Sequence, residues 1–451
     1  LESTVPKSSP SRLLIKGGTI LTMDPALGDL DTADVLIEQD RIRAVQPGLD
    51  AAGAEVIDAT GMLVIPGLID SHTHMWQAPL KGIGAGLWGM ADYSKQVFPL
   101  REQFSAADMY DATFAAGVEM LDHGITTVLD FCHNVMTPEH ADQSLRAHWI
   151  TGQRILFAYG MLGRFTSLEA DQPWRLDQVR SLQRQIASHE SSLVRLGMAM
   201  SSLEHAGLKL VENEVLVGRE LGLLMTFHQN PPGQIRELHA AKLLGGDMLP
   251  VHANLAAEDE LDVLARFGGG ISFTTEGEFG GGRSMSIIGR AHRAGVTPSL
   301  GVDIPSRVAL DIFAQMRLTF SVMRSEEATV ERLTGRWPLA RHPGTPHVQP
   351  RHMLEYVTVN AARAVGLGTE LGRIAPDCLA DVVLLRTGPY GMSLGDPAAH
   401  VALQSTPADV DTVVLNGVVR KKAGRLVDLD PAEAAAATRR VRERVFGSTA
   451  R

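Results

Sequence analysis

The chain has 451 residues, of which 42 are basic and 52 acidic, so its formal net charge is −10. This acidic balance, without any run of Lys and Arg, argues against a protein that follows nucleic-acid phosphates, and no apolar stretch reaches the about 20 residues that a membrane-spanning helix needs. The two cysteines, Cys132 and Cys378, lie far apart in the sequence, which favours a reducing compartment over a disulfide scaffold and makes the cytoplasm the expected location.

The amino-terminal part of the chain is predicted to be β-rich. Residues 1–11 are rich in Ser and Pro and are expected to form a disordered leader. Over residues 12–66, LLIKGGTILTMD has a Gly-Gly turn between two β-rich runs, and ADVLIEQDRIRAVQPG alternates apolar and polar residues around Gln39–Asp40. Both patterns are typical of β-hairpins.

The central part, residues 67–367, alternates between helical and strand-like stretches. AADMYDATFAAGVEMLDHG has a helical texture, whereas GITTVLDF, ILFAYGML, LLMTFHQN and DMLPVHAN are short apolar runs. Alternation repeated about eight times predicts a parallel sheet closed into a (β/α)8 TIM-like barrel.

The β texture returns after the barrel. Over residues 368–428, VDTVVLNGVVRKKAGRLVD carries Asn-Gly and Ala-Gly turns between strands. Residues 429–451 predict a terminal helix opened by Asp430 and Pro431. We expect 12–66 and 368–428 to meet as one small composite β-sandwich, with the barrel inserted between them.

The first candidate metal ligands follow a buried strand. MLVIPGLIDSHTHM ends in His72-Thr73-His74, and side chains two residues apart on a strand point to the same side. Two imidazoles can therefore converge on one metal ion. The alternative is a pair of exposed loop histidines, which the preceding apolar run and Pro-Gly make less attractive.

Three further candidates end later apolar runs: His228 in LLMTFHQN, His252 in DMLPVHAN and Asp303 in VTPSLGVD. Barrel active sites lie at the carboxyl ends of the strands, where these residues fall. We favour His228 as a metal ligand, His252 as a functional residue that is not a ligand, and Asp303 as a ligand that also accepts a proton from water. The alternatives are structural histidines and a helix-capping Asp. Three imidazoles and a carboxylate suit one divalent ion, Zn²⁺ first and Fe²⁺ second.

Several of these segments resemble a known family. VIPGLIDSHTHM, MLDHGITTVLDF, FHQN, VHANL and GVDIPSRVALDIFAQMRL are similar to the amidohydrolase superfamily, with cytosine and S-adenosylhomocysteine deaminases and the triazine hydrolases as the closest branch. LIKGGTILTMD, LGRIAPDCLADVVLL and VVLNGVVRKKAGRLV resemble its β-sandwich. The resemblance covers nearly the whole chain.

This resemblance implies roles for individual residues. His72, His74 and His228 would bind the metal after barrel strands one and five, His252 after strand six would orient the nucleophile or the substrate, and Asp303 after strand eight would be ligand and general base. A branch with two metals has a Lys at the end of strand four, and LGMAMSSLEHAGL has none there, which favours one metal. A homo-oligomer, dimer or tetramer, is implied only by analogy with the family.

Two segments depart from the deaminase pattern. Deaminases of this branch carry a Glu three residues after the strand-five His, where this chain has Pro231, and SFTTEGEFGGGR replaces their usual segment after strand seven. Pro231 has no proton to give, so cytosine, guanine and adenosine-type compounds are expected to be poor substrates. Glu204, Glu276, Glu278 and His205 are candidates to replace the missing acid, although each taken alone is more typical of a solvated loop charge.

The substrate pocket is expected to lie beneath the loop WQAPLKGIGAGLWGMADY. Trp76, Gln77, Trp88 and Tyr93 are candidates to line it, although Trp88 is equally suited to core packing. Glu276, in the segment after strand seven, is a further candidate for substrate binding.

The sequence therefore predicts a metal-dependent hydrolase that cleaves a C–N bond (amide, amidine, urea or ring amino group) of a small molecule, with heterocycles among the candidates. One alternative keeps the metal but changes the reaction to dechlorination, ester cleavage or decarboxylation. The other is a barrel that has lost its general acid and serves only in binding. No nucleic-acid or membrane partner is expected.

Overall fold

A computed structural model describes residues 12–86, 90–164, 166–282, 287–335, 347–388 and 395–447. The predicted leader and Trp88 lie outside the described residues. No helix in the described ranges is long and apolar enough to cross a membrane.

The strands of the described chain are numbered in chain order. They are β1 (Arg12–Ile20), β2 (Leu30–Glu38), β3 (Arg41–Gln46), β4 (Glu55–Asp58), β5 (Met62–Pro66), β6 (Leu68–Thr73), β7 (Ile125–Cys132), β8 (Arg154–Gly160), β9 (Val194–Ala199), β10 (Leu224–Gln229), β11 (Met248–His252), β12 (Gly270–Phe273), β13 (Thr297–Leu300), β14 (Val382–Arg386), β15 (Val410–Leu415), β16 (Val418–Lys422) and β17 (Arg425–Leu426).

The helices connect and cover these strands. They are α1 (Met90–Gln96), α2 (Phe98–Arg101), α3 (Ala106–Asp122), α4 (Pro138–Thr151), α5 (Leu168–Ala187), α6 (Leu203–Glu220), α7 (Gln234–Ala240), α8 (Glu258–Arg266), α9 (Thr275–Gly280), α10 (Ile288–Ala294), α11 (Ile312–Leu333), α12 (Pro350–Val357), α13 (Val359–Ala364), α14 (Pro397–Leu403) and α15 (Pro431–Phe446), with 3₁₀ turns at Met75–Leu80 and Pro407–Asp409.

The central strands form a parallel barrel, as the sequence predicts. Strands β6 to β13 are neighbours in chain order in one eight-stranded sheet. Every residue of β7 and β8 is buried, because helices cover the outer face of a parallel sheet while its inner face packs on itself. The two ends of the sheet meet where the Asp303 amide donates to the His72 carbonyl at 2.9 Å and the His74 amide donates to the Asp303 carbonyl at 2.8 Å.

Closure of the barrel depends on a glycine. A Cβ atom added at Gly301, just after β13, would lie 2.4 Å from the His72 carbonyl oxygen and 2.6 Å from the His72 nitrogen. A side chain there would push β6 and the end of β13 apart. Asp70 reinforces the same junction, because its buried carboxylate accepts from the His72 amide at 2.9 Å and from the Val302 amide at 3.2 Å.

The two ends of the chain build a second sheet together, which confirms the predicted small β-domain. Its form is one nine-stranded sheet in the order β17-β16-β15-β14-β5-β1-β2-β3, with β4 beside β1. The amino- and carboxyl-terminal halves join where Val383 of β14 pairs with Ile65 of β5. The sheet curls, so that the Ala380 amide donates to the Asp40 carbonyl at 2.8 Å. It therefore encloses its own core of Leu, Ile and Val side chains.

The segments that join the sheet to the barrel are short and well anchored. β5 ends at Pro66 and β6 begins at Leu68, and the Gly67 amide between them donates to the Asp381 carbonyl at 2.8 Å. The terminal helix begins as predicted, because the Asp430 carboxylate accepts from the Ala432 amide at 2.8 Å. Helix α14 and the 3₁₀ turn at Pro407–Asp409 lie within residues 368–428, which were predicted to form part of the β-sandwich.

Candidate metal centre and active site

Four predicted ligands converge at the carboxyl end of the barrel. One ligand atom from each of His72, His74, His228 and Asp303 lies within 4.8 Å of all the others. The Asp303 Oδ1 atom is 3.4 Å from His72 Nε2 and 3.3 Å from His74 Nε2. His72 lies in β6, His74 directly follows it, His228 lies in β10 and Asp303 follows β13. The carboxyl ends of parallel strands that are distant in sequence thus bring these side chains together.

The protonation states of this cluster fit a divalent cation. Both ring nitrogens of His72 are buried without a hydrogen-bond partner among the described residues, and burial lowers the His72 pKa to about 3. Burial also holds the His228 pKa well below its usual value. Burial opposes ionisation of Asp303, but the imidazoles of His252, His72 and His74 outweigh it and hold the Asp303 pKa well below the usual range. Neutral imidazoles and an anionic carboxylate are what Zn²⁺ binds.

Contacts outside the cluster fix the orientation of His74. Its Nδ1 donates to the Phe131 carbonyl at 2.8 Å, which leaves Nε2 facing the centre. His133 Nδ1 lies 2.9 Å from His74 Nδ1, and His133 lines the cavity described below. His133 follows an apolar strand in the same way as His228, but it was not among the site residues predicted from the sequence.

His252 is held by a buried carboxylate. Its Nδ1 lies 3.1 Å from Glu278 Oε1, which also accepts from the Thr274 amide at 3.0 Å. The other oxygen, Oε2, accepts from Asn254 Nδ2 at 3.0 Å. The remaining ring nitrogen, His252 Nε2, is 3.8 Å from Asp303 Oδ2. Glu278, which the sequence offered only as a substitute acid, therefore orients His252.

The backbone is strained where chemistry is expected. His252 has a φ of 69° and Asp303 a φ of 73°, both in the left-handed region that side chains with a Cβ rarely adopt. Such conformations cost about 1–3 kcal/mol each and persist only where surrounding contacts enforce them. Here the barrel closure and the Glu278 network supply those contacts.

A cavity of about 260 Å³ opens above the cluster. Its floor contains His74, His228, His252 and Asp303. The rest of its described wall consists of Tyr93, Ser94, Phe98, His133, Leu162, Ser202, Glu204, His205, Asn230 and Ile304. Aromatic and apolar groups thus share the wall with a few polar ones, as in small-molecule sites.

Three residues predicted to bind substrate lie elsewhere. Trp76 is buried and packs edge-on against Phe104, with ring centroids 5.2 Å apart, because the chain after His74 turns into a wholly buried 3₁₀ helix. Gln77 is also buried, and its Nε2 donates to the Tyr93 hydroxyl at 2.5 Å, so it positions a wall residue. Glu276 accepts from Gln315 Nε2 at 3.3 Å and is not among the wall residues. The fourth, Trp88, is not described.

A closed parallel barrel with three His and one Asp converging at its carboxyl end defines a metal-dependent hydrolase. The model of the Amidohydrolase family matches residues 63–420, and the chain belongs to that family. It is a metal-dependent amidohydrolase, as the sequence motifs predict.

Curated relatives and solved structures match almost the whole chain. The 5'-deoxyadenosine deaminase of Methanothermobacter thermautotrophicus is 26% identical over 94% of this chain and 98% of its own length. The 5-methylthioadenosine/S-adenosylhomocysteine deaminase of Desulforudis audaxviator is 26% identical, over 93% and 95%.

Among solved structures, a mutant atrazine chlorohydrolase of Arthrobacter aurescens, complexed with zinc and atraton, has a TM-score of 0.81 at 21% identity, covering 95% of this chain and 99% of that one. A zinc-bound adenosine deaminase of Xanthomonas campestris has a TM-score of 0.78 at 20% identity, covering 97% and 99%. These likenesses confirm the predicted fold.

Proposed function

We propose that this amidohydrolase removes an amino group from a nitrogen-containing aromatic ring, releasing ammonia. The observation that carries the proposal is the convergence of His72, His74, His228 and Asp303 beneath a small cavity with partly aromatic walls. The aromatic rings of Tyr93 and Phe98 and the apolar side chains of Leu162 and Ile304 suit a planar ring, and the polar groups of the wall suit its nitrogens.

One divalent metal ion, Zn²⁺ before Fe²⁺, would be held by His72, His74, His228 and Asp303. When bound, such an ion supplies a water activated for attack on an electrophilic carbon. Asp303 is ionised at neutral pH because of its low pKa, so its carboxylate accepts a proton from the attacking water. His252, fixed through Nδ1 by Glu278, presents Nε2 beside Asp303 Oδ2 and orients the attacking oxygen.

Purine amines are the first substrates to test. The named relatives are deaminases of 5'-deoxyadenosine, 5-methylthioadenosine and S-adenosylhomocysteine. The sequence-based expectation that such compounds are poor substrates rested on Pro231, which cannot donate a proton. That expectation stays a prediction; the carboxyl group of Glu204 in the cavity wall is the reason to test these compounds first.

A second candidate reaction is displacement of chloride from a ring carbon. Two observations favour it: the fold similarity to atrazine chlorohydrolase, and Pro231 in place of an acid that amine departure needs and chloride departure does not. Both reactions use the same metal site.

The test is an assay of metal-loaded protein on adenine, 5'-deoxyadenosine, 5'-methylthioadenosine, S-adenosylhomocysteine and atrazine, with ammonia and chloride measured separately. We expect ammonia from at least one purine amine with a kcat/KM of about 10⁴ M⁻¹s⁻¹ or more, lost in Asp303→Asn. Chloride release without ammonia would favour the second candidate. Neither product from any compound would contradict both.

Three sequence-based expectations stay predictions: a homo-oligomer, a cytoplasmic location and the absence of a nucleic-acid partner.

A further inference from the structure

We propose that Glu204 is the general acid of this reaction and donates a proton to the ring nitrogen beside the reacting carbon. The proposal rests on the proposed ring deamination. The general acid would thus come from α6, because Pro231, which follows β10, has no proton to donate.

The chemistry requires such a donor. Water adds to the ring carbon: its oxygen bonds to carbon, one of its protons passes to Asp303, and Glu204 protonates the adjacent ring nitrogen. The proton on Asp303 then passes to the amino group, which leaves as ammonia with the electron pair of the broken C–N bond. As the carbonyl forms, the proton of the new hydroxyl group returns to Glu204. One water is consumed and one ammonia released, and both carboxyl groups are restored.

The position of Glu204 fits this task. Glu204 lines the cavity, and its side chain is 26% exposed. Its Oε1 accepts from Asn230 Nδ2 at 3.2 Å and lies 3.3 Å from His205 Nδ1. No hydrogen bond to Oε2 is formed within the described part of the chain. Because Asn230 follows the ligand His228 by two residues, it ties one oxygen of Glu204 to the strand end that carries the metal centre.

The local sequence explains how Glu204 reaches the cavity. Gly207 has a φ of 72° and a ψ of 165°, which interrupts α6 after its first turn. A Cβ there would meet nothing within 4 Å, so glycine is needed for the backbone angle and not for space. The turn that carries Glu204 and His205 can therefore take a direction independent of the long remainder of the helix.

The other acids suggested by the sequence are committed elsewhere. Glu278 holds His252, Asn254 and the Thr274 amide, and Glu276 pairs with Gln315 outside the wall. His205, the titratable group next to Glu204, is more exposed at 40%. Within the described wall, Glu204 and Asp303 are the carboxyl groups, and Asp303 is the base.

The experiment compares Glu204→Gln and Glu204→Asp with the control Glu212→Gln. Glu212 lies on the same helix, outside the cavity wall, in an exposed pair with Lys209. The substrate is the purine amine that wild type deaminates fastest. We expect Glu204→Gln to lower kcat by about 10²–10⁴-fold, while metal content and melting temperature stay unchanged. Glu204→Asp should keep part of the activity, and Glu212→Gln should match wild type.

Two results would overturn the role of Glu204 but leave the proposed function intact. In the first, wild type deaminates the substrate and the kcat of Glu204→Gln is within tenfold of it. In the second, the lost activity of Glu204→Gln is fully explained by lost metal. If Glu204→Gln does not fold, Glu204→Ala takes its place, and a Glu204→Ala variant with a rate within tenfold of wild type would also overturn that role. A wild type that deaminates none of the purine amines would overturn the proposed function, and this inference with it.

Discussion

At the scale of a single residue, Asp303 is constrained by both its side-chain contacts and its backbone conformation. Its carboxylate lies within 3.4 Å of two imidazole nitrogens, and its backbone has a φ of 73°. Asn and Asp tolerate this left-handed conformation better than other residues with a Cβ. A short polar side chain therefore suits this position for two reasons: the proposed metal site and the backbone conformation.

We predict that Asp303→Asn nearly abolishes turnover while the fold persists. Asn keeps the shape and tolerates the φ angle, but it cannot accept a proton near neutral pH. The rate should fall by about 10²–10⁴-fold, and metal affinity should also weaken. Asp303→Ala should lose activity too, and should in addition lose about 1–2 kcal/mol of stability because Ala suits a left-handed φ poorly. Initial rates and thermal unfolding check this; an Asp303→Asn rate within tenfold of wild type would remove Asp303 from the mechanism.

The sequence identifies the four candidate ligands that the fold brings together, because their signal is local. An apolar strand followed by His or Asp places that side chain at the catalytic end of a barrel, whatever the rest of the chain does. The burial of Trp76 depends on tertiary packing, because its ring packs against Phe104 and His133. The sequence contains no pattern that distinguishes a buried Trp76 from a Trp76 that lines the pocket.

At the scale of elements, the closure between β6 and β13 decides the geometry of the site. The hydrogen bonds that join His72 and His74 to Asp303 through the backbone also set the distances between their side chains. The close approach at Gly301 allows these hydrogen bonds, so closure of the barrel also arranges the side chains that are candidate metal ligands.

Gly301→Ala is therefore expected to damage both. Its Cβ would lie 2.4 Å from the His72 carbonyl oxygen, and backbone atoms would have to move. Overpacking of this kind costs about 1–3 kcal/mol, and displacement of His72 should lower metal occupancy. Gly395→Ala, where a Cβ meets nothing within 4 Å, is the matched control. The measurements are chemical denaturation and metal content; a Gly301→Ala variant that matches the control in both would contradict this account of closure.

The segment after β12 forms a helix that the sequence did not predict. From the sequence, TTEGEFGGGR is only a departure from the family pattern, yet its first residues form α9, with Glu278 buried beside His252. The two residues are 26 positions apart, so only the tertiary fold reveals their contact. The alternation of strands and helices, in contrast, was enough to predict the barrel.

At the scale of the whole molecule, a buried ion pair links the barrel to the nine-stranded sheet. Arg154 begins β8, and its guanidinium donates to Asp381 Oδ2 at 3.1 Å and to Oδ1 at 3.0 Å. Both side chains are largely excluded from solvent. The pair lies at the amino end of β8, whereas the metal centre lies at the carboxyl end of the barrel.

Asp381→Ala should destabilise the protein by about 3–5 kcal/mol, because it leaves the Arg154 charge buried and unpaired. The control is Asp247→Ala, which breaks a half-exposed pair with Arg219 and should cost about 0–1 kcal/mol. Urea denaturation compares the two free energies of unfolding. Equal stability of the two variants would show that the pair does not hold the sheet to the barrel.

The order of strand-like and helical segments predicts the overall architecture, but it does not predict how the strands of the nine-stranded sheet pair. β-rich ends around a strand–helix repeat implied a shared domain. That β14 adds directly to β5, so that the two ends make one curled sheet, depends on long-range register, which hydrophobic alternation alone does not specify.

The central claim is one divalent metal ion held by His72, His74, His228 and Asp303, and elemental analysis of the purified protein tests it most directly. We predict about one metal ion per chain in wild type, well below half of that in His72→Ala and His228→Ala, and wild-type content in His239→Ala, whose histidine is exposed outside the site. The reason is that removing one imidazole leaves an incomplete set of ligands. A wild-type value near zero after reloading with Zn²⁺ or Fe²⁺, or a value near two, would contradict the account.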